Sequence, residues 1–258
     1  MNIAVCAKQI PDPAEPGQLT PETYTLAREG KLILDDSDMY GVEIALQLAE
    51  AVGGDVTLIS MTPHGETGGL RTALAMGATR AILVSDDALA GCDALSTAKV
   101  LAAAVRRAES DLVLAATEST DGYTGTLPVQ LAELLGQPSV SFAKRLTVTD
   151  GVLHAHRQTE AGFDEVEVPL PAVVTVTAGA VEPRYPSFKG IMAAKRKPVE
   201  QLTLADLGID PGSVGFAGAR QEVLSVTPAP PRQAGEVVTD KGDGHERIVA
   251  FLEQLSVI

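Results

Sequence analysis

Over its first 135 residues, the chain alternates short apolar runs with segments whose apolar residues recur at helical spacing. The run at 3–7 predicts a buried strand, and the pattern from Val42 to Val52 predicts a helix that ends at Gly53 and Gly54. Such alternation is typical of a parallel sheet covered by helices on both faces. Further strands are predicted at 56–60, 81–84 and 111–116, and further helices at 70–77, 96–110 and 127–135.

Beyond about residue 140 the pattern changes to segments in which apolar and polar residues alternate. The segments 146–148, 152–156, 164–168 and 172–176 predict strands that extend the sheet in antiparallel fashion. The predicted fold class is therefore α/β: a doubly wound, mostly parallel, Rossmann-like sheet of the adenine-nucleotide-binding type, with added antiparallel strands.

The C-terminal part of the chain differs in composition from the rest. After Gly208 it is rich in Pro and Gly, and the stretch 227–232 favours an extended arm. The last predicted helix, 245–255, has one apolar face, which indicates packing against another chain. We therefore predict an α/β domain at 1–208 and, at 209–258, an extended arm that ends in a helix.

Composition and charge exclude several classes of protein. The chain has 258 residues, 45% of them hydrophobic, and a net charge of −14, which argues against general binding to nucleic acid or anionic membranes. No apolar run reaches the ~18 residues of a membrane span, and the first residues do not resemble a secretory signal. These features predict a cytoplasmic protein without membrane insertion. Cys6 and Cys92 lack metal-ligand spacing and are expected to be buried thiols.

Ligands of open parallel sheets bind where loops follow the carboxyl ends of the strands. The loop 117–126 follows one predicted strand and leads directly into a predicted helix. Its hydroxyls, glycines and amides at a helix start favour a phosphate group, although Thr124 or Thr126 in an ordinary N-cap explains the same pattern. Glu118 and Asp121 would repel an anion unless they are turned away.

No catalytic constellation is evident. The chain contains neither a GxGxxG dinucleotide fingerprint nor a Walker loop, and no nucleophile elbow. His154 and His156 lie on the same face of a predicted strand. They could bind a metal ion, but ordinary solvated surface residues are the favoured interpretation. The sequence thus indicates binding and assembly rather than catalysis.

The segment 182–198 carries a distinctive pattern: Glu-Pro-Arg-Tyr from Glu182, five variable positions, then Ile-Met-Ala-Ala-Lys and further basic residues. Matching stretches include Val-Cys-Ala-Lys-Gln with Asp12 near the start, Arg-Thr-Ala-Leu-Ala-Met-Gly-Ala at 71–78, and Asp-Leu-Gly at 206–208. In these motifs the chain resembles the beta subunits of electron transfer flavoproteins over essentially all of its length.

The resemblance implies a partner alpha subunit that holds most of the FAD, and one AMP bound by the beta subunit in a structural role. The AMP phosphate loop would be 118–126, while the ends of the first two strands and the segment 39–42 before the first helix would contact adenine and ribose. The family has Asn-Pro-Phe where this chain has Met39-Tyr40-Gly41, and Tyr40 is a candidate flavin neighbour. The implied cofactor-binding residues are Ala7, Met39, Tyr40, Met61, Glu118, Ser119, Thr120, Asp121, Gly122, Tyr123, Thr124, Gly125 and Thr126.

The resemblance also implies that 182–198 docks partner dehydrogenases, such as those acting on acyl-CoA, through an exposed apolar anchor. Phe188 occupies the anchor position, with packing into the domain's own core as the alternative. Electrons would pass through the FAD to a membrane quinone oxidoreductase, and the C-terminal arm would contact the alpha subunit. The implied partner-recognition residues are Arg184, Tyr185, Phe188, Lys189, Ile191, Met192 and Lys195.

Two other functions remain open at this level. A bifurcating flavoprotein subunit would hold a second FAD in place of AMP, and Tyr123 in the loop does not decide between them, although AMP is preferred. A stand-alone adenine-nucleotide-binding regulatory protein would have no use for the segment 182–198. The favoured hypothesis is an electron-carrier subunit without catalytic residues of its own.

Overall fold

A computed structural model describes residues 1–227, 229–231, 235 and 237–258, which fall into two compact units, Met1–Val223 and Leu224–Ile258. The strands are β1 (Asn2–Cys6), β2 (Gln9–Pro11), β3 (Leu32–Leu34), β4 (Asp55–Thr62), β5 (Arg80–Ser85), β6 (Leu112–Ala116), β7 (Ser139–Thr149), β8 (Val152–Thr159), β9 (Gly162–Pro169), β10 (Ala172–Val176) and β11 (Val199–Leu202). The helices are α1 (Asp36–Val52), α2 (Gly68–Met76), α3 (Ala94–Ala108), α4 (Leu127–Leu135), α5 (Phe188–Ala194), α6 (Gly215–Gly218) and, in the second unit, α7 (Gly244–Gln254).

Nine strands form one sheet in the order β11-β5-β4-β1-β6-β10-β7-β8-β9. Each pair of adjacent strands from β11 to β7 is parallel, whereas the pairs β7–β8 and β8–β9 are antiparallel. The predicted fold class, a mostly parallel α/β sheet with antiparallel strands added at one side, is confirmed.

Two hydrophobic clusters cover the two faces of the sheet. Val5 and Leu58 point to the face covered by α1 and α2, and Cys6 and Ile59, their next neighbours along β1 and β4, point to the face covered by α3 and α4. Because both faces are buried, the central strands read as continuous apolar runs in the sequence. This burial explains why their positions were predictable.

The first helix begins earlier than predicted. Asp35 is its N-cap and accepts a hydrogen bond from the Ser37 N–H at 3.0 Å, so Met39 and Tyr40 lie within α1 rather than before it. The apolar spacing starts only at Val42 because the first turn is acidic, which suits the positive end of the helix dipole. The prediction of a non-helical segment at 39–42 was wrong.

Several short elements were not predicted. β2 and β3 form a separate antiparallel pair within what was expected to be an irregular connection. β11 lies at the sheet edge, where Glu200 and Gln201 interrupt the apolar pattern. α5 lies inside 182–198, and the Ser187 side chain caps it by accepting from the Gly190 N–H at 3.0 Å.

The first unit extends past the predicted domain boundary after 208. Val214 is fully buried and Ile209 is partly buried against the cluster under α3 and α4, so residues up to Val223 belong with the α/β unit. The proline-rich stretch 227–232 lies partly outside the described residues.

The second unit contains α7, which ends at Gln254. Its apolar side chains Ile248, Val249 and Phe251 are all exposed. The amphipathic helix predicted at 245–255 is therefore present. Within the described parts of the chain, no helix is long and apolar enough to cross a membrane.

Candidate functional site

The strand order changes direction between β1 and β6. The next strand in sequence after β1 in this sheet, β4, pairs on one side of it, whereas β6 pairs on its other side. In open α/β sheets, ligands bind at such a switch point, outside the carboxyl ends of the strands. The loops that follow β1 and β6 therefore define the candidate site, and the second of them is the predicted loop 117–126.

Two of the amides in this loop are used to fix its shape. The Thr120 N–H donates to Asp35 Oδ2 at 2.8 Å, and the Tyr123 N–H donates to the Ser119 carbonyl at 3.0 Å. Tyr123 itself is in the left-handed region, with φ of 49°. A non-glycine residue in this conformation carries strain that the surrounding contacts must hold, a feature common at ligand sites.

Three other amides of the loop are available to a ligand. Among the described residues, none accepts from the backbone N–H groups of Gly122, Thr124 or Gly125. Thr126 is the N-cap of α4 but makes no side-chain capping bond, so the alternative of an ordinary Thr126 cap is not seen. Free donors and the helix dipole both favour an anion at this point.

Asp121 does not face a ligand as a free charge. Lys8 Nζ lies 2.5 Å from Asp121 Oδ1, and Arg28 binds the other oxygen, while the Asp121 side chain is only 7% exposed. Burial alone would raise the pKa of Asp121, but the charges and hydrogen bonds of Lys8 and Arg28 hold it below its ordinary value. The expected repulsion of an anion by Asp121 is therefore removed, and Glu118 remains as an exposed carboxylate.

Lys8 also joins the two loops across the switch point. Its ammonium donates to Ser119 Oγ at 3.1 Å, and its backbone N–H donates to Asp38 Oδ2 at 2.6 Å. Burial, more than the nearby charge of Asp35, raises the pKa of Asp38 to about 8, so this carboxyl group is mostly protonated at neutral pH.

The other predicted nucleotide contacts divide between two places. Ala7 and Met61 lie at the carboxyl ends of neighbouring strands, β1 and β4, and Ala7 donates its N–H to the Ile59 carbonyl at 2.8 Å. Met39 and Tyr40 are half-buried in the first part of α1 and pack against the core. Lys8, Arg28, Asp35 and Asp38 were not among the predicted site residues, although the acidic run at 35–38 was a visible signal.

The segment 182–198, called the docking segment from here on after its predicted role, presents its apolar side chains to solvent. Tyr185 is 90% exposed, Phe188 80%, Met192 50% and Ile191 47%. The alternative in which Phe188 packs into the core is wrong, because Phe188 is largely exposed to solvent. Lys189 and Lys195 are exposed beside these residues.

Arg184 differs from the other residues of the docking segment. Its guanidinium is held by Glu43 and Glu50 of α1, at 2.8 Å from Glu43 Oε2 and 2.6 Å from Glu50 Oε1. Its charge is therefore already paired within the chain.

The histidines and cysteines show no sign of a reactive site. His154 and His156 each face a glutamate on β9, Glu167 at 3.3 Å and Glu165 at 3.7 Å. No group of residues able to hold a metal ion occurs in the described chain. Burial raises the pKa of the Cys6 thiol to about 12, whereas Cys92 is half-buried rather than buried.

Comparison with known proteins matches these features to one family. A sequence model of the electron transfer flavoprotein domain matches residues 23–207. The electron transfer flavoprotein beta subunits of Mycobacterium tuberculosis and Mycobacterium leprae are 41% and 42% identical over 264 aligned residues, which span 100% of this chain and 99% of each relative.

The chain belongs to the electron transfer flavoprotein beta-subunit family. A more distant relative is a protein of Acetobacterium woodii named caffeyl-CoA reductase-Etf complex subunit CarD, 36% identical over 242 residues, or 93% of this chain and 92% of the relative. Family membership assigns the chain to electron transfer.

Asp38 gives the first testable prediction. A carboxyl group whose folded-state pKa is raised from 3.8 to about 8 stabilises the fold at low pH, and this contribution is lost as the pH rises through 8. The side chain of the Asp38→Asn variant cannot ionise. Its unfolding free energy, measured by urea denaturation of the purified protein, should therefore rise relative to that of wild type as the pH increases from 5 to 9.

The exposed Asp36, two residues away in the same helical turn, supplies the control. The difference in unfolding free energy between Asp36→Asn and wild type should be nearly constant across this pH range. Parallel pH profiles for Asp38→Asn and wild type would contradict a protonated Asp38.

Proposed function

We propose that this chain is the beta subunit of a heterodimeric electron transfer flavoprotein, acting as an electron carrier without catalytic residues of its own. It binds AMP at the loop 118–126, supports an FAD held mainly by an alpha subunit, and docks dehydrogenases such as those acting on acyl-CoA. Electrons then reach a membrane quinone oxidoreductase. The observation that carries the proposal is the loop of free amides at the β1/β6 switch point in a chain of this family.

The residues of the loop suit the phosphate of AMP. The amides of Gly122, Thr124 and Gly125 and the uncapped start of α4 supply donors, and Lys8 and Arg28 neutralise Asp121. Ala7 and Met61 at the neighbouring strand ends are proposed to contact the adenosine. A phosphate at a helix start needs such unpaired donors and a neutral or positive surrounding.

FAD supplies the redox chemistry of the heterodimer by accepting and releasing electrons. Our proposal gives this chain the task of covering and orienting that group, with Met39 and Tyr40 at the start of α1 as its candidate neighbours. Tyr40 is half-buried against the core, so its ring has a fixed support.

The docking segment supports the proposed recognition of dehydrogenases. Phe188, Tyr185 and Met192 form an exposed apolar surface flanked by Lys189 and Lys195. Exposed aromatic residues are frequent hot spots of interfaces, and basic neighbours accelerate association with an acidic partner. A mostly apolar cavity of about 510 Å³ adjoins it between α2 and α5, next to Ile191.

The exposed apolar residues of α7 support a role for the C-terminal arm in binding the alpha subunit. Ile248, Val249 and Phe251 lie on one short helix and are exposed. A stand-alone regulatory protein would not need such a surface, and family membership further disfavours that alternative. Location in the cytoplasm stays a prediction.

A second candidate is a bifurcating subunit that binds a second FAD in place of AMP. It is retained because one relative is named as a subunit of a caffeyl-CoA reductase-Etf complex. The two candidates differ in the nucleotide that the chain binds.

The bound nucleotides test this choice. The heterodimer of this chain with its alpha subunit, purified and then denatured, should release one FAD and one AMP per heterodimer, as measured by mass spectrometry. Two FAD and no AMP would support the second candidate, and a complex without either nucleotide would contradict both.

Phe188 gives a separate prediction for docking. Phe188→Ala should lower kcat/KM for electron acceptance from a reduced dehydrogenase by about tenfold or more, because a hot-spot side chain is lost. FAD content should not change.

Phe163, exposed on β9 at the far side of the sheet, provides a matched control. Phe163→Ala should leave kcat/KM near the wild-type value. Unchanged kinetics for Phe188→Ala would reject the anchor role.

A further inference from the structure

Arg184 fastens the N-terminal end of the docking segment to α1. Its backbone N–H and Nε donate to Glu43 Oε2 at 3.1 and 2.8 Å, and its Nη2 donates to Glu43 Oε1 at 3.0 Å. Nη1 reaches Glu50 Oε1 at 2.6 Å. One guanidinium thus binds two carboxylates of the same helix in the forked geometry that only Arg can supply.

These contacts outweigh the burial of the Glu43 carboxylate. Burial of Glu43 would raise its pKa, but the hydrogen bonds from Arg184 lower it below the ordinary value. Hydrogen bonding by Arg184 also lowers the pKa of Glu50 and raises the pKa of Arg184 itself. All three groups therefore stay charged at neutral pH.

A second fastening lies at the C-terminal end of the docking segment. Lys197 Nζ donates to the carbonyls of Leu74, Gly77 and Ala78 at 2.9, 3.1 and 2.7 Å. These carbonyls end α2 and its following turn, where a helix lacks internal donors and a cation is favoured.

Arg71 of α2 makes the reciprocal contact. Its Nη1 donates to the carbonyls of Ala194 and Lys197 at 2.7 and 2.8 Å. Between the two fastenings, α5 lies so close to α2 that a Cβ on Gly190 would be 2.4 Å from the Ala75 carbonyl oxygen. The segment is therefore held at both ends and in the middle.

We propose that Arg184 and Lys197 are positioning residues that hold the docking segment in its binding conformation before a partner arrives. The inference rests on the proposed docking function. A partner that meets an ordered surface does not have to order it on binding, and avoiding that cost strengthens association. Arg184 thus acts through Phe188 and its neighbours rather than by contacting the partner.

This role separates Arg184 from the exposed basic residues of the same segment. Lys189 is free to attract an acidic partner, and such steering weakens as salt rises. The charge of Arg184 is already paired with Glu43 and Glu50, so its contribution should persist at high salt. The two kinds of residue can therefore be told apart by salt dependence.

The test compares three variants of the heterodimer. Arg184→Lys keeps the charge but loses the forked contacts, Lys189→Gln loses an exposed charge, and Phe188→Ala loses the anchor. Hydrogen–deuterium exchange of residues 185–192 reports order, and KM for a reduced dehydrogenase at low and high salt reports docking.

Arg184→Lys should accelerate amide exchange at 185–192 and raise KM by about threefold to tenfold at both salt concentrations, with FAD content unchanged. Lys189→Gln should leave exchange unchanged and raise KM only at low salt. If Arg184→Lys fails to fold, Glu50→Gln is a milder variant, because it removes only the more exposed of the two carboxylates that hold Arg184. It should also accelerate exchange at 185–192 and raise KM.

Wild-type exchange in Arg184→Lys, or faster exchange with an unchanged KM, would overturn the inference. If Phe188→Ala also leaves KM unchanged, the docking function itself fails. A change for Phe188→Ala without one for Arg184→Lys rejects only the positioning role.

Discussion

The acidic side chains at the start and in the middle of α1 form the hydrogen bonds on which the loop 117–126 and the docking segment both depend. Asp35 and Asp38 at its start accept the N–H groups of Thr120 and Lys8, one from each loop of the switch point. Glu43, two turns further along, holds Arg184. Buried carboxyl groups must have partners to offset desolvation, so the loops and the docking segment have to adopt the positions that supply them. One helix thereby sets the geometry of the loop 117–126 and of the docking segment.

The fold was predictable where burial is continuous and unpredictable where an element is short or lies at an edge. α4 has the bounds expected for 127–135, because its apolar spacing ends at Gly136, a left-handed C-cap. β11 was missed because the adjacent polar residues Glu200 and Gln201 interrupt its apolar pattern, and α5 because seven residues around Gly190 carry little periodicity. The start of α1 was hidden by its acidic first turn.

The candidate site was predictable in position but not in its electrostatics. The loop 117–126 could be located because it follows a predicted strand and leads into a predicted helix, whereas the pairing of Asp121 with Lys8 and Arg28 joins residues 113 and 93 positions apart. The contact of Arg184 with Glu43 spans 141 positions. Local sequence patterns cannot predict pairs of residues so far apart in the chain. Arg184 was therefore grouped with the exposed residues of its segment. The exposed state of Phe188, in contrast, agreed with the resemblance.

The proposed role of the chain is to carry electrons as part of a complex rather than to convert a substrate. Anaerobic stopped-flow absorbance of the FAD in the heterodimer, mixed with acyl-CoA dehydrogenases and their substrates, tests it most directly. For an electron carrier, this FAD should be reduced only when a dehydrogenase and its substrate are both present. Reduction by an acyl-CoA alone, or none with any member of a broad panel of dehydrogenases, would contradict it.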